Sequence, residues 1–344
     1  MKRLKLKKGQ GGLITDSTYR KYFSGLDIEE GFLLLSSAPA YFVDPRYFSA
    51  VKNEIERAGI KPVLYRSLED IKLELISQGV KTLYIDYDKT TLTEYEEYLS
   101  LGVKILDGSL IFKKARAVKD QNELGFIKRA CGIAQTAVSE TLKILKVGIS
   151  ELEVKNFLVE KMIALGASGE SFDTIVAFGA NSAVPHHRTG GTMLENNQAV
   201  LIDTGAVYKG YCSDITRTVF FGEPNGEFIS RYNAVKRVGE IAIEGIKPNA
   251  KLSECDNLAR KYLGSKNLSE YFAHSLGHGL GLEIHEYPTL SPRAKGEIAN
   301  GMVFTVEPGV YFDGEYGIRI EDTVYLDGVV SRLMTDDKEL KIIK

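Results

Sequence analysis

Residues 199–221 read AVLIDTGAVYKGYCSDITRTVFF, two apolar segments that each contain one aspartate. The segments flank a short turn and are predicted to pair as an antiparallel hairpin, in which side chains alternate between the two faces. A turn centred on Tyr208 and Lys209 places Asp203 directly opposite Asp214. A turn shifted by one residue makes the two aspartates diagonal neighbours on the same face, whereas an odd-length loop would separate them.

The apolar neighbours of both aspartates indicate that the two carboxylates point into a core. Two close carboxylates repel each other and resist burial. A divalent cation bound between them would remove that cost. Alternatively, one aspartate caps a turn and the other pairs with Arg217 or Arg319, and the hairpin alone does not decide between these interpretations.

A second acidic pair favours the metal site. Glu307 ends the apolar strand of GMVFTVEPGVY, and Glu321 shares one face of the strand in YGIRIEDTVYL with Arg319. Isolated glutamates are unusual in apolar strands, because burial penalises them. Together with His278, these carboxylates form a set of five ligands that suits two divalent metals of the Mn, Co, Fe or Zn type. Two such ions would acidify a bridging water and polarise a substrate carbonyl, which is chemistry for hydrolysis.

The segment HSLGHGLGLEIHEYP, residues 274–288, contains three of the five histidines. Its glycines at 277, 279 and 281 make a continuous helix improbable. The segment also lacks the lysine and the serine or threonine of a phosphate-binding loop. Separate roles for the three imidazoles are therefore favoured over a helical face or a nucleotide site.

Strands and helices alternate between about residues 30 and 115. Strands are predicted at 31–37, 61–66, 80–87 and 103–108, with helices at 47–59, 67–79 and 91–102, the second of which begins at a serine cap. This alternation predicts βαβ units and a mostly parallel sheet covered by helices.

The pattern changes at ARAVKD, residues 115–120, which we interpret as a boundary between domains 1–115 and 116–344. Two helices are expected between 116 and 165, the second capped by Ser150. The chain beyond about residue 170 is rich in strands, with one more helix pair near 227–264.

Composition excludes several classes of function. The 44 basic and 46 acidic residues leave a net charge of −2, so there is no general electrostatic reason to expect nucleic acid or an anionic membrane as a partner. No apolar stretch reaches the length of a membrane span. The basic segment Lys2–Lys8 lacks the apolar region of a signal peptide and is expected to be a solvated terminus. Three widely spaced cysteines favour a cytoplasmic protein.

Four motifs, LIDTGAVYKGYCSDITRT, HSLGHGLGLEIHE, NGMVFTVEPGVY and GIRIEDT, resemble those of the pita-bread metallopeptidases, in the branch of the Xaa-Pro aminopeptidases and prolidases. The resemblance covers about residues 116–344 and extends more loosely to the first domain, where YFSGLD at 22–27 is similar to an early family segment. It implies an α/β creatinase-like N-terminal domain followed by an α+β pita-bread catalytic domain.

The resemblance also implies the metal site. Its ligands would be Asp203, Asp214, His278, Glu307 and Glu321, binding two divalent ions per subunit, with Mn favoured over Co, Zn or Fe. Glu307 would in addition help to deprotonate the bridging water.

Further site residues are implied around the metals. His285 would hydrogen-bond the scissile carbonyl or the developing gem-diolate. His274 would line the pocket for proline, and His186 would lie at the substrate mouth; it is preferred over His187 because it directly follows a proline. Arg319 would hold the geometry of the metal-binding carboxylates, and Tyr311 is a candidate substrate contact.

Several activities compete within this fold. Methionine aminopeptidases consist of little more than the catalytic half, and creatinase-like relatives lack the complete metal set, so both are disfavoured. Non-catalytic pita-bread proteins that bind histones or RNA have lost metal residues that are present here. We therefore predict a peptidase that acts on peptides with proline in the second position, and the resemblance suggests a homodimer joined partly through the first domain.

No residue decides between an Xaa-Pro aminopeptidase, which accepts longer peptides, and a prolidase, which is restricted to dipeptides. The prediction is the aminopeptidase, with the dipeptidase as the alternative.

Overall fold

The computed structural model describes Lys2 and residues 4–344; Met1 and Arg3 lie outside the described residues, and Arg3 is part of the segment expected to be a solvated terminus. Internal contacts divide the chain into one compact unit that ends at Arg116 and a second that runs from Ala117 to Lys344. Among the described helices, none combines the length and the apolarity that crossing a bilayer requires.

The first unit is organised around a six-stranded sheet. Its strands are β1 (Gln10–Ile14), β2 (Phe32–Leu35), β3 (Ala40–Val43), β4 (Lys61–Leu64), β5 (Thr82–Ile85) and β6 (Lys104–Asp107), in the spatial order β4-β3-β2-β1-β5-β6. The pairs β3–β4, β1–β5 and β5–β6 are parallel, whereas β1–β2 and β2–β3 are antiparallel. The four predicted strands are confirmed as β2, β4, β5 and β6, and the sheet is mixed.

Sequence reasoning missed β1 and β3. Strand β1 lies in the middle of the sheet although its sequence, QGGLI, contains two glycines that weaken a strand pattern. A Cβ on Gly11 would come within 3.2 Å of Leu34 Cδ1 and 3.3 Å of Leu83 Cδ1. The glycine is therefore explained by close packing of its neighbours on the sheet.

Helices flank these strands. They are α1 (Ser17–Ser24), α2 (Pro45–Arg57), α3 (Leu68–Ser77), α4 (Leu92–Leu99) and α5 (Ser109–Ala117). Ser67 caps α3 as predicted and forms a capping box with Asp70, and Thr91 does the same for α4 with Glu94. These local signals explain why the starts of α3 and α4 are readable from sequence, whereas α1 and α5 have no counterpart among the predicted helices.

The second unit contains two pairs of long helices. They are α6 (Gln121–Thr141), α7 (Glu151–Ala164), α8 (Gly226–Gly245) and α9 (Leu252–Ser265), with short 3₁₀ turns at Leu142–Ile144, Gly179–Ala183 and Ser269–Tyr271. All four helices occur where the sequence predicts them. Ser150 is the N-cap of α7 and forms a capping box with Glu153.

The strands of the second unit form several antiparallel ladders. They are β7 (Gly169–Glu170), β8 (Ile175–Phe178), β9 (Gln198–Thr204), β10 (Ala206–Tyr208), β11 (Tyr211–Cys212), β12 (Ile215–Phe221), β13 (Gly277–Gly279), β14 (Glu286–Leu290), β15 (Val303–Val306), β16 (Gly309–Phe312), β17 (Tyr316–Arg319), β18 (Asp322–Asp327), β19 (Val330–Leu333) and β20 (Ile342–Ile343). The two largest sheets have the orders β20-β12-β9-β8 and β14-β13-β15-β18-β19. The edge pair β12–β20 is parallel.

Two apolar cores hold this unit together. In one, α6 and α7 pack on β8, β9 and β12, with Leu158 and Val200 fully buried. In the other, α8 and α9 pack on β15 and β18, with Val235 and Phe304 fully buried. The second core also includes Ala199 of β9 and Phe220 of β12, so it reaches both large sheets.

The turn of the hairpin is centred one residue beyond the first expectation, which shifts the strand pairing by two residues. Thr216 of β12, and not Asp214, lies opposite Asp203 of β9. The turn is centred on Lys209 and Gly210, whose φ values of 52° and 82° fit a two-residue hairpin turn. The prediction that Asp203 lies directly opposite Asp214 is therefore wrong. With this register the two aspartates are diagonal neighbours on one face, as expected for a turn shifted by one residue.

Candidate metal centre and active site

The acidic residues converge from four places in the second unit. Asp203 lies in β9 and Asp214 just before β12, while Glu307 follows β15 and Glu321 lies between β17 and β18. One ligand atom from each of Asp214, His278 and Glu321 lies within 4.8 Å of the others. His278 Nε2 is also 3.5 Å from Asp214 Oδ2 and 3.6 Å from Glu307 Oε1. The structure thus brings these residues to one place.

Burial and like charge make this cluster unfavourable on its own. Asp214 is 4% exposed and Glu321 is 2% exposed. Loss of hydration, followed by the charges of neighbouring carboxylates, raises the pKa of both groups well above the ordinary range. Burial also raises the pKa of Glu307 to about 8. The cluster therefore needs added positive charge to remain fully ionised at neutral pH.

The free oxygens of the cluster fit a bound cation. Oδ1 of Asp203 and Oδ1 of Asp214 are buried and have no hydrogen-bond partner among the described residues. A buried carboxylate oxygen without a partner is costly, and a divalent cation would satisfy it. Four carboxylates with one imidazole form a donor set suited to Mn, Co, Fe or Zn. The residues present therefore fit the metal ions that the sequence predicts.

The tautomer of His278 also suits ligation. Its Nδ1 lies 3.1 Å from the carbonyl oxygen of Gly279 and donates to it, which leaves Nε2 as the acceptor that faces the carboxylates. Burial lowers the pKa of His278 to about 4. The flanking Gly277 is required by packing, because a Cβ there would lie 2.0 Å from the backbone oxygen of Thr305. The backbone beside His278 is therefore in close contact with the backbone of Thr305 in the neighbouring strand.

Arg319 is the cation that the protein itself supplies to this cluster. Its Nη2 lies 2.6 Å from Asp203 Oδ2, and its Nη1 donates to the hydroxyl of Tyr311 at 2.8 Å. The guanidinium is 3% exposed. Arg319 therefore occupies the position expected of a residue that orients a metal-binding carboxylate.

Two threonines orient the glutamates, and sequence reasoning missed both. Thr216 Oγ1 donates to Glu321 Oε2 at 2.6 Å and accepts from Arg319 Nε at 3.1 Å. Thr305 Oγ1 donates to Glu307 Oε1 at 3.3 Å. A threonine in a strand is an ordinary residue, so only its alternation onto the same face as the acidic residues could have singled it out.

His274 lies next to Arg319 through Tyr311. The hydroxyl of Tyr311 donates to His274 Nε2 at 2.8 Å, while His274 Nδ1 donates to the backbone oxygen of Ser275 at 2.9 Å. Burial lowers the pKa of His274 to about 4, so the ring is neutral at pH 7. Both ring nitrogens of His274 form hydrogen bonds, so only the faces and edges of the ring remain for contact with other groups. The hydroxyl of Tyr311, the candidate substrate contact, is likewise engaged by Arg319 and His274.

The remaining histidines take different positions. The rings of His285 and His278 are in edge contact, with centroids 4.3 Å apart. Burial and then the nearby charge of His186 lower the pKa of His285. His186 is exposed and also contributes to the lowered pKa of His274. His187 instead points to Glu151, with Nε2 2.9 Å from Oε2. Of the two adjacent histidines, His186 is the one beside the cluster.

The second unit is an α+β unit whose strands carry a buried set of four carboxylates and one imidazole, and this donor set is suited to a metal-dependent enzyme. Residues 125–327 match the model of metallopeptidase family M24, and residues 2–118 match that of the creatinase/prolidase N-terminal domain. The chain belongs to metallopeptidase family M24. The predicted fold class, a creatinase-like α/β domain followed by a pita-bread catalytic domain, is confirmed.

Relatives match along almost the whole chain. The uncharacterized peptidase YqhT of Bacillus subtilis is 36% identical over 340 residues, which cover 97% of this chain and 96% of that protein. The structure of an Xaa-Pro dipeptidase from Bacillus anthracis is 35% identical with a TM-score of 0.91, covering 97% and 95% of the two chains. An X-Pro aminopeptidase from Thermotoga maritima is 32% identical with a TM-score of 0.86, covering 97% of each.

Proposed function

We propose that the protein hydrolyses the peptide bond between an N-terminal residue and a following proline, and that it does so only with divalent metal. The observation that carries the proposal is the buried cluster of Asp203, Asp214, His278, Glu307 and Glu321, in which two carboxylate oxygens have no partner among the described residues. These five residues would hold two metal ions, for which Mn is our first choice. When bound, such ions acidify a water molecule and polarise the substrate carbonyl.

The residues of the chain supply the proton transfers. Glu307 is the carboxylate that would take a proton from the attacking water and return it to the departing proline nitrogen. Its Oε1 accepts from Thr305 Oγ1, so the hydroxyl fixes the direction of the carboxylate. A general base acts efficiently only when it is held in this way.

Two histidines would stabilise the oxygen of the scissile carbonyl as negative charge develops on it. His285 lies against His278 at the metal cluster, and its lowered pKa keeps it neutral. A neutral imidazole still donates through one N–H, and such a donor is most effective when aimed at the developing charge. His186 would add a second donor from the exposed side of the site.

His274 would form a wall of the pocket for the proline ring. Both of its nitrogens are occupied by hydrogen bonds, to Ser275 and Tyr311, so the face of the ring is left for contact. An apolar ring face suits the pyrrolidine ring of proline, which carries no N–H donor in a peptide. This arrangement favours proline after the scissile bond.

Dipeptides are the substrates we propose first. The reason is the greater similarity of this chain to the Bacillus anthracis Xaa-Pro dipeptidase, by both identity and TM-score, than to the Thermotoga maritima X-Pro aminopeptidase. Cleavage at the N-terminus of longer peptides, the activity preferred from sequence, is the second candidate because of that aminopeptidase.

The decisive experiment compares an Xaa-Pro dipeptide with an Xaa-Pro-Xaa tripeptide in the presence of Mn or Co. Turnover of the dipeptide alone indicates a prolidase, and turnover of both indicates an aminopeptidase. EDTA should abolish either activity. If a protein shown to bind two metals cleaves neither peptide, the proposed function is wrong.

Two further proposals concern the setting of the enzyme. The three cysteines, Cys131, Cys212 and Cys255, are buried and are not joined in disulfides, which supports a reducing compartment such as the cytoplasm. A homodimer is proposed from the family resemblance, and sedimentation or light scattering of the purified protein would test it.

A further inference from the structure

We infer that Glu151 and His187 act together as positioning residues, which fix the loop that carries His186 at the active site. The inference rests on the proposed function, because it assigns His186 a place at the substrate mouth. The hydrogen bonds that Glu151 and His187 form with described residues join them to this loop and to each other, so both would act through the loop.

Glu151 is a buried carboxylate at the start of α7. Its side chain is 0% exposed. An isolated buried carboxylate is strongly unfavourable, and it is tolerated only when its oxygens accept several hydrogen bonds or meet a cation. The position of Glu151 in the first turn of a helix adds a favourable interaction with the helix dipole. The dipole alone does not require burial, so the contacts made inside the fold must explain it.

Four hydrogen bonds to this carboxylate come from the segment 178–190. Oε1 accepts from the backbone nitrogen of Phe178 at 2.9 Å and from Asn181 Nδ2 at 2.8 Å. Oε2 accepts from the backbone nitrogen of Gly190 at 3.2 Å and faces His187 Nε2 at 2.9 Å. The carboxylate thus ties together the beginning, the middle and the end of one loop.

Close to His186, Arg319 Nη1 donates to the backbone oxygen of Pro185 at 3.3 Å, which brings this part of the loop to the site. Val184 is 52% exposed and His186 is exposed, so apolar packing does not fix this part of the chain. A backbone hydrogen bond from His187 to Val184 closes a local turn. The imidazole of His187 anchors that turn to α7, and its neighbour in sequence, His186, is directed to the other side.

The two adjacent histidines therefore have different roles. His187 binds the protein interior through Glu151, and His186 directly follows Pro185, whose backbone oxygen accepts a hydrogen bond from Arg319 of the site. A donor that stabilises a developing oxyanion has to be held within a fraction of an ångström, and displacement by about 1 Å can cost roughly a hundredfold in rate. Loss of the anchor should therefore affect catalysis without affecting the metal ligands.

The variants Glu151→Gln and His187→Phe test this inference in the full-length, metal-loaded protein. Glutamine keeps the volume of Glu151 but presents an NH₂ group to two of the donors. Phenylalanine keeps the ring of His187 and removes its N–H. We expect kcat/KM on the Xaa-Pro substrate to fall by roughly tenfold to a hundredfold in both, with metal affinity unchanged.

Matched variants separate positioning from general damage. His187→Gln should largely restore activity, because the Nε2 of glutamine can occupy the place of the imidazole Nε2 and donate to Glu151. Glu153→Gln, two residues further along α7, should behave as wild type, because glutamine also completes a capping box. Thermal melting of each variant reports whether the fold is intact.

A readout independent of turnover is available because the chain has only five histidines. In the protein loaded with diamagnetic Zn²⁺, the imidazole resonances can be assigned by single substitutions and followed by NMR. The resonance of His186 should shift or broaden in Glu151→Gln and His187→Phe, while that of His278 stays in place.

The outcomes distinguish the two proposals. If the wild type fails to cleave Xaa-Pro substrates but the His186 resonance responds as described, the proposed function is wrong and the positioning role stands. If the His186 resonance is unchanged in both variants, the positioning role is overturned, whatever the activity. Should Glu151→Gln fail to fold, His187→Phe alone decides the question.

Discussion

Arg319 Nη2 lies 2.6 Å from Oδ2 of Asp203, while Oδ1 of the same carboxylate is buried without a hydrogen-bond partner among the described residues. The guanidinium therefore fixes one oxygen of the aspartate and leaves the other for the cluster. Because the same guanidinium also contacts Thr216 and Tyr311, one side chain sets the direction of several groups at once.

Replacing Arg319 by lysine should lower metal affinity although the positive charge is kept. A lysine ammonium cannot reach Asp203, Thr216 and Tyr311 together in the fixed geometry of a guanidinium. We expect affinity for Mn or Zn to fall by roughly tenfold to a hundredfold, as is typical when a residue that orients a metal ligand is changed. Competition with a chromophoric chelator measures this. Arg332→Lys, at the exposed ion pair with Asp327, is the control; equal affinity in both variants would contradict the role of Arg319.

Glu307→Gln should abolish turnover and leave the protein folded. A carboxamide cannot accept the proton that a general base must take, and loss of such a base costs at least about a hundredfold. Glutamine is uncharged, so it relieves part of the repulsion within the buried cluster. Steady-state kinetics, circular dichroism and metal content are the measurements, with the exposed Glu297→Gln as control. Retained activity would remove Glu307 from the mechanism.

The lowered pKa of His274 predicts a specific dependence of the free energy of unfolding on pH. Its pKa is about 4 in the folded protein, against an ordinary value of 6.5. The unfolded chain therefore binds a proton before the folded chain does as pH falls from 6.5 to 4, and stability is lost across that window. Between about pH 7 and about pH 5 the loss is at most about 2 kcal/mol.

The variant His274→Gln isolates this contribution. Urea unfolding of both proteins in EDTA, at about pH 7 and about pH 5, gives the free energies of unfolding to be compared. The wild type should lose more stability than the variant on acidification, because glutamine does not titrate. If both proteins change by the same amount, His274 does not have a lowered pKa in the folded state.

Lys119 and Glu286 form an ion pair that is almost completely buried. Nζ and Oε2 are 3.2 Å apart, with the two side chains 1% and 4% exposed. Breaking a buried ion pair by removing one partner typically costs about 3 to 5 kcal/mol. We therefore expect Lys119→Met to be strongly destabilised in urea unfolding. Lys113→Met, which breaks an exposed pair with Asp88, should cost less than about 1 kcal/mol. A similar loss of unfolding free energy in both variants would contradict the expected difference between the buried and the exposed ion pair.

The proposed metal ligands could be singled out from the sequence because acidic residues inside apolar strands are rare and costly, so each carries information about a partner. The register of Asp203 and Asp214 was less certain, since a turn centred one residue away gives a different pairing. Glu151 carried no such signal: an acidic residue in the first turn of a helix is common. Only the side-chain directions in the fold show that it is buried and that His187 contacts it.

The missed strand β1 has a comparable explanation. Its glycines lack the side chains that would mark a strand, yet tight packing by residues distant in sequence makes glycine fit there. Tertiary contacts of this kind are invisible to a local pattern.

The turn at Lys209 and Gly210 has a consequence for engineering the chain. Hairpin tips are usually the places where a protein tolerates added residues. Here the number of residues in the tip decides which face of the strand Asp214 presents, and a slip by one position would turn its carboxylate away from Asp203. The length of this solvent-facing turn thus determines the position of a buried carboxylate, so tags or insertions should be placed elsewhere in the chain.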